Sequence, residues 1–226
     1  MQRMKRYLGD WRLVVPGLLI VAIVILALAA ESVAPYDPLA IDTVNSLRPP
    51  SAAHWFGTDE YGRDILSRVI FGARSSLAVA VCSVILAALV GVSIGVVSGY
   101  LGGWTEILVM RLADAILCFP PVILGIMIIG LLGPSFGNLV VVLGVLYIPH
   151  FARISHSSTL VVKSYEYVDA HYSTGATGLR VIRKTILPNI LPPLIVQASL
   201  SVAAVIFLES GMSFLGLGIV PPTPSW

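Results

Sequence analysis

Between Arg153 and Leu187 the chain turns polar and basic, yet apolar stretches long enough to cross a bilayer flank it on both sides. Charge at that density is expensive in hydrocarbon, so the segment must lie outside the membrane while its flanks lie within. This contrast points to an all-α polytopic membrane protein with a structured loop at one membrane face. Composition agrees, with 57% hydrophobic and 12% charged residues, against about 25% charged in a soluble domain. Mean hydropathy is +0.91. Five candidate spans emerge, at 13–30, 76–98, 108–132, 138–154 and 190–213. They are read as helices because lipid cannot satisfy an open sheet edge, and no alternating barrel pattern appears.

The distribution of Lys and Arg sets orientation; the net charge of +2 says little. Arg3, Lys5, Arg6 and Arg12 precede the first span, and Arg153, Lys163, Arg180, Arg183 and Lys184 follow the fourth. The positive-inside rule therefore puts the tail 1–12 and the loop 155–189 in the cytoplasm, the loop 31–75 outside, and Trp226 outside. Residues 76–226 form the core. Ala27-Leu28-Ala29 could pass for a signal-peptidase site. The apolar run before it is longer than a signal h-region of about 7–15 residues, so an uncleaved first span is expected. Ile65 to Ala73 regains an apolar helical rhythm and is expected to lie along the membrane surface.

Within the spans, Ala87, Gly91, Gly95 and Gly99 recur every four residues. That register aligns small residues on one helix face and predicts close approach of a second helix. Pro120-Pro121 predicts a kink, which either lines a translocation path or is a static bend. Glu209 is the one acid deep in apolar surroundings. A membrane carboxylate is a functional candidate by default. The favoured reading is structural, a carboxylate near the outer interface bonded to backbone where the helix loosens at Gly211. Arg111 and Asp114, three apart, are expected to pair on one helix face. Cys82 and Cys118 read as small buried apolar residues.

The polar segment reads as two short helices with a break. Tyr165 to Ser173 forms the first. Gly175 suits the position after a helix, where φ > 0 is wanted. Thr177 can cap a second helix, which carries an apolar stripe of Leu179, Ile182 and Ile186. Leu187-Pro188 is expected to end that helix before the last span. A connector lying on the membrane surface would show the same pattern. No phosphate-binding loop, zinc-protease helix or nucleophile elbow is present. His54, His150, His156 and His171 do not pair with carboxylates at ligand spacing. No catalytic residue, metal site or nucleic-acid partner is expected.

Taken together, several blocks resemble the binding-protein-dependent ABC importer permeases, specifically the second permease subunit of the dipeptide/oligopeptide/nickel branch. They include Gly57-Thr58-Asp59 with Gly62-Arg63-Asp64, then Gly99-Tyr100-Leu101-Gly102-Gly103-Trp104 and Ser213-Phe214-Leu215-Gly216. The polar segment is similar to the family's coupling loop through Glu166, Tyr167, Val168, Asp169, Ala170 and His171, then Gly175, Ala176, Leu187 and Pro188. The resemblance implies a six-helix permease fold, of which five spans are present here. It implies docking of that loop on an ATPase, and Pro120, Pro121 and Glu209 are the pathway or gating candidates. ATP and Mg would sit on two ATP-binding partner subunits, with no cofactor on this chain. A homologous second permease, an extracytoplasmic solute-binding protein and the bilayer of a bacterial inner membrane would complete the assembly.

Two departures stand out. The family's Glu-Ala-Ala reads Asp169-Ala170-His171, which puts an imidazole where a small alanine is usual. Similar permeases also continue past Pro224-Ser225-Trp226 by a further span. A chain ending here is expected to be poorly stable or incompetent unless a separate fragment supplies it. A non-functional truncated remnant is therefore one alternative. An ion-coupled secondary transporter is another, and it predicts paired broken helices and several membrane-centre acids.

Lacking a phosphate-binding loop, the purified chain alone should neither hydrolyse ATP nor transport. Phosphate release by the isolated protein, free of contaminating ATPase, would refute the permease reading.

Overall fold

The computed structural model describes residues 11–226. Arg3, Lys5 and Arg6, used above for orientation, lie outside the described residues. Among those residues the elements are helices, apart from one isolated antiparallel bridge between Thr58 and Asp64. Met1–Ala78 with Pro221–Trp226 forms one compact unit, and Val79–Val220 forms the other.

The first unit contains α1 (Trp11–Leu28), the short α2 (Ala30–Val33) and a 3-10 turn at Thr43–Asn45. α1 is apolar all round, and most of its side chains are exposed, Leu18 and Ile20 at 63% each. Such a surface suits lipid and would be costly in water. Its apolar part, Val14–Leu28, is shorter than the spans described next. The chain end returns to this unit, where the Trp226 amide donates to Ser76 Oγ at 3.1 Å and its indole N–H to the Val69 carbonyl at 2.9 Å.

α3 (Ile65–Leu101) runs unbroken for 37 residues, about 55 Å at the α-helical rise. The surface helix expected at Ile65–Ala73 is instead the beginning of α3. No proline separates Ala73 from Leu77, so nothing stops the hydrogen-bond ladder. α4 (Gly103–Leu117) and α5 (Pro121–Leu132) follow, then α6 (Phe136–Lys163), α7 (Glu166–Ser173), α8 (Gly178–Val181), a π turn (Ile182–Ile186) and α9 (Leu187–Phe214). Among the described residues, three helices are long and apolar enough to cross a membrane: Ile65–Leu101, Phe136–Lys163 and Gly178–Phe214. A fourth is present if α4 and α5 count as one bent span. The chain is thus an all-α, multi-pass membrane protein.

The expected single span at 108–132 is two helices bent by 88°. Phe119 and Pro120 each precede a proline, which disfavours helical backbone, and Pro120 takes ψ of 125°. Pro121 then sits at the start of α5, where its missing N–H is harmless. Two prolines in series therefore make a break where one would make a kink.

α6 is the centre of the second unit. Leu139, Val142, Leu143, Leu146 and Phe151 are buried along it, and α4, α5 and α9 all pack against it. Its start is fixed by Ser135 Oγ, which accepts from the Asn138 amide, and by Asn138 Nδ2, which donates to the carbonyls of Leu132 and Gly133. α3 closes on α6 through the expected small-residue face. A Cβ at Gly91 would lie 2.6 Å from the Ile148 carbonyl and 2.7 Å from Phe151 Cβ. One at Gly95 would overlap Ser155 Oγ and the Ala152 carbonyl, and one at Gly99 would lie 2.9 Å from the His156 carbonyl. The backbones touch because no side chain separates them. Ser83 Oγ adds a hydrogen bond to the Val140 carbonyl at 3.2 Å.

Gly95→Leu should force α3 off α6. Overpacking of this kind costs about 1–3 kcal/mol or more. The thermal transition in detergent should fall by several degrees, whereas Gly130→Ala, with nothing within 4 Å of the added Cβ, should leave it unchanged.

Candidate functional site

The segment between α6 and α9 is built from the residues singled out in the sequence. α6 ends at Lys163, and Tyr165, with ψ of 139°, precedes α7. Glu166 and Asp169 stand in the first turn of α7 and His171 in its last, each on the side the helix dipole favours. Of the eight residues only Val168 is buried. Glu166, Tyr167, Asp169, Ala170 and His171 all face out.

After α7 the chain reverses through a Schellman arrangement. The Gly175 amide donates to the Tyr172 carbonyl at 2.9 Å and the Ala176 amide to the His171 carbonyl at 3.0 Å, which closes the last carbonyls of the helix. Gly175 has φ of +80°, with nothing within 4 Å of a notional Cβ. Glycine is required there by backbone conformation alone, not by space. Ala176 packs against the core.

The expected stop at Leu187-Pro188 is absent. α8, the π turn and α9 form one continuous helical run. Pro188 has no N–H to give to the carbonyl four residues back, and the helix accommodates this by widening one turn, with the Leu187 amide reaching the Ile182 carbonyl. Thr177 precedes α8 without a side-chain cap bond.

Contacts not foreseen in the sequence hold the segment. The Tyr100 and Tyr172 hydroxyls lie 2.6 Å apart. Lys163 Nζ donates to the Tyr100 carbonyl at 2.8 Å and stands 5.6 Å from the centre of its ring. Burial, then the hydrogen bond and charge of Tyr100 and the charge of Asp169, push the Tyr172 phenol up to about 12. His156 Nε2 meets Glu106 Oε1 at 3.0 Å, and Arg153 pairs with Asp114. The expected Arg111–Asp114 pair is therefore replaced by one from α4 to α6. Two imidazoles do bond carboxylates, His54 to Asp64 and His156 to Glu106, brought together by folding rather than by sequence spacing. The Gly-Tyr-Leu-Gly block around Tyr100 was the available signal, with no partner visible for it.

Elsewhere in the second unit, Glu209 is fully buried and accepts from Ser213 Oγ at 2.7 Å. The helix does not loosen at Gly211; it runs to Phe214 and turns at Gly216. The Ser213 hydroxyl that donates to Glu209 stands one helical turn on. Cys82 and Cys118 are exposed, not buried.

In the first unit, Gly57-Thr58-Asp59 and Gly62-Arg63-Asp64 fold as one hydrogen-bonded knot. Asp59 Oδ1 accepts from the Tyr61 and Arg63 amides, and Oδ2 from Arg63 Nε at 2.7 Å. Gly62 has φ of +75° and presses on the Asp42 backbone. Asp64 caps α3, accepting from both the amide and the hydroxyl of Ser67 at 2.8 Å, and takes His54 Nδ1 at 2.9 Å. Burial alone would raise the Asp64 carboxyl. The Ser67 amide, His54 and the Ser67 hydroxyl outweigh it and hold the group below the usual value. Asp59 is lowered in the same way by Arg63 and Tyr61.

Residues 91–226 match the family model described as binding-protein-dependent transport system inner membrane component. The chain is 39% identical over 213 residues to a probable D,D-dipeptide transport system permease protein of Escherichia coli, covering 94% of this chain and 72% of that one. It is 40% identical over 222 residues to the dipeptide transport system permease protein of Bacillus subtilis, covering 98% and 69%. A glutathione transport system permease protein of Pectobacterium atrosepticum is 34% identical over 223 residues, covering 98% and 74%.

Lowered carboxylates stabilise the folded state fully above their unfolded value, about 3.9, and lose that contribution as the pH falls through the lower folded value. Amide-exchange protection across residues 42–67 should therefore hold down to about pH 4 and fall below it. Asp64→Asn, which keeps a capping oxygen without the charge, should flatten that acid limb.

Proposed function

The chain belongs to the inner-membrane permease subunits of bacterial binding-protein-dependent ABC importers, and on that premise we propose that it forms half of a peptide translocation pathway whose motion is driven by partner ATPases through residues 166–176. The observation that carries the reading is the build of α7. An eight-residue helix with one buried side chain leaves nearly its whole outer surface free for a partner. It hangs between α6 and the α8–α9 run, so a push on it reaches the ends of two membrane helices. The acids and aromatics on its outer face suit a cleft in another protein. ATP and Mg belong to the two ATP-binding partners. A homologous permease supplies the other half of the path, and an extracytoplasmic binding protein delivers substrate.

Small peptides are the proposed cargo, since the relatives are named for a D,D-dipeptide, dipeptide and glutathione. The proposed topology has five spans: α1, α3, the α4–α5 pair, α6 and α8–α9. Arg153, Lys163, Arg180, Arg183 and Lys184 gather around the coupling segment, which favours the cytoplasmic side for it. The bend at Pro120–Pro121 is the proposed pathway element. Glu209, buried with a hydroxyl beside it, serves as a structural group. Closure of the ATPases moves α7 as a rigid lever and rocks the spans between inward- and outward-facing states.

A cysteine at Asp169 should cross-link to the ATPase subunit in the assembled transporter. Gly175→Val should cut uptake about tenfold or more while ATP hydrolysis persists, because a β-branched residue is poorly tolerated at φ > 0. His171→Ala should be neutral or improve docking. Cross-links that place residues 166–175 away from the ATPase would refute the assignment.

A further inference from the structure

The coupling segment could pass motion to the membrane helices only through its covalent ends, or it could be strapped to them in between. We infer that the Tyr172–Tyr100 hydroxyl pair is a strap that makes α7 move with the end of α3, and that Tyr100 and Tyr172 are positioning residues for coupling; the inference rests on the reading of α7 as the ATPase-docking element.

Four observations carry it. An eight-residue helix is too short to hold itself, and only Val168 of α7 is buried. It is also held to a distant helix by Tyr172, whose hydroxyl lies 2.6 Å from that of Tyr100. Tyr100 is itself immobilised. Lys163 Nζ binds its carbonyl and covers its ring, and Gly178 leaves no room on another side, since a Cβ there would stand 2.5 Å from the Tyr100 hydroxyl. Finally, Tyr100 follows Gly99 directly, and Gly99 closes the column by which α3 grips α6. Force entering at Tyr172 therefore arrives at a rigid helix pair, not at a loop. With its phenol pushed up to about 12, Tyr172 stays a neutral hydrogen-bonding group throughout the physiological range.

The strap explains an otherwise idle glycine. Gly178 begins α8 at ordinary backbone angles, and what it supplies is the gap for the Tyr100 hydroxyl. A methyl group at that position should push the Tyr100 phenol off Tyr172 with both tyrosines left in the sequence.

The experiment uses the full transporter, with its partner permease, ATPases and binding protein, in vesicles. Tyr100→Phe, Tyr172→Phe and Gly178→Ala are compared for uptake, ATP hydrolysis, cross-linking from position 169 and amide exchange over residues 166–176. Each single variant should raise exchange across α7 and keep hydrolysis within about twofold, while peptide carried per ATP falls about fivefold. The tyrosine double variant should be no worse than either single one, as expected for two groups sharing one interaction. Unchanged exchange in Tyr172→Phe, unchanged uptake per ATP, or losses that multiply in the double variant would each overturn the strap. If position 169 fails to cross-link in the parent protein, the docking reading falls, and the exchange result alone then decides whether the strap exists.

Discussion

The contact on which the second unit depends is the near-absence of side chain between α3 and α6. Water provides no hydrophobic drive between helices inside a membrane, so association rests on close packing and on polar contacts that open up when backbones approach. Gly91, Gly95 and Gly99 bring α3 to within touching distance of α6 carbonyls. That proximity lets Ser155 Oγ reach toward the Gly91 carbonyl at 3.4 Å and Ser83 reach Val140. It also fixes where the end of α3 lies, and hence where Tyr100 meets the polar segment. Around this pair, α4 is held to α6 by Arg153–Asp114 and His156–Glu106, and α5 rests Gly125 and Ile129 against the core.

Which features could be read from the sequence follows from the range of the forces involved. The small-residue column was legible because helical periodicity puts residues four apart on one face whatever the rest of the chain does. The first short helix of the polar segment and the left-handed Gly175 that ends it were legible for the same local reason. Partners far apart in the chain were not. Asp114 has Arg111 on its own helix, yet it bonds Arg153, 39 residues on, because α4 crosses α6 there. His54 and Asp64 are ten residues apart and meet only after the intervening turn folds. Proline has opposite effects at its two sites. At Pro120–Pro121 the expected bend is a full break, since the second proline starts a new helix. At Leu187–Pro188 the expected stop is absent, since a π turn absorbs the missing donor.

The motif blocks divide by what they do. In the first unit, the Gly-Thr-Asp and Gly-Arg-Asp runs are occupied with each other: their acids accept backbone amides, their glycines make room for backbone, and Asp64 starts α3. Such residues are constrained by folding before any partner is considered. In the second unit, the Glu166–His171 run is constrained by almost nothing within the chain. Side chains that a fold does not use, displayed on an element that it does take care to place, are what a docking surface requires.

The π turn has a further consequence. It is one residue more than an α-helix needs, and each residue of an α-helix turns the chain by about 100°. Arg180 and Arg183, at or before this turn, and the exposed flank of α9 at Leu191 and Ile195 are thus set in angular phase by a single inserted position. Loss of one residue between Ile182 and Ile186 would shift that phase by about 100° and turn α9 to present a different flank. The bulge therefore sets the angular phase of α9 against residues 166–176, and a change in the length of these five residues would reset it.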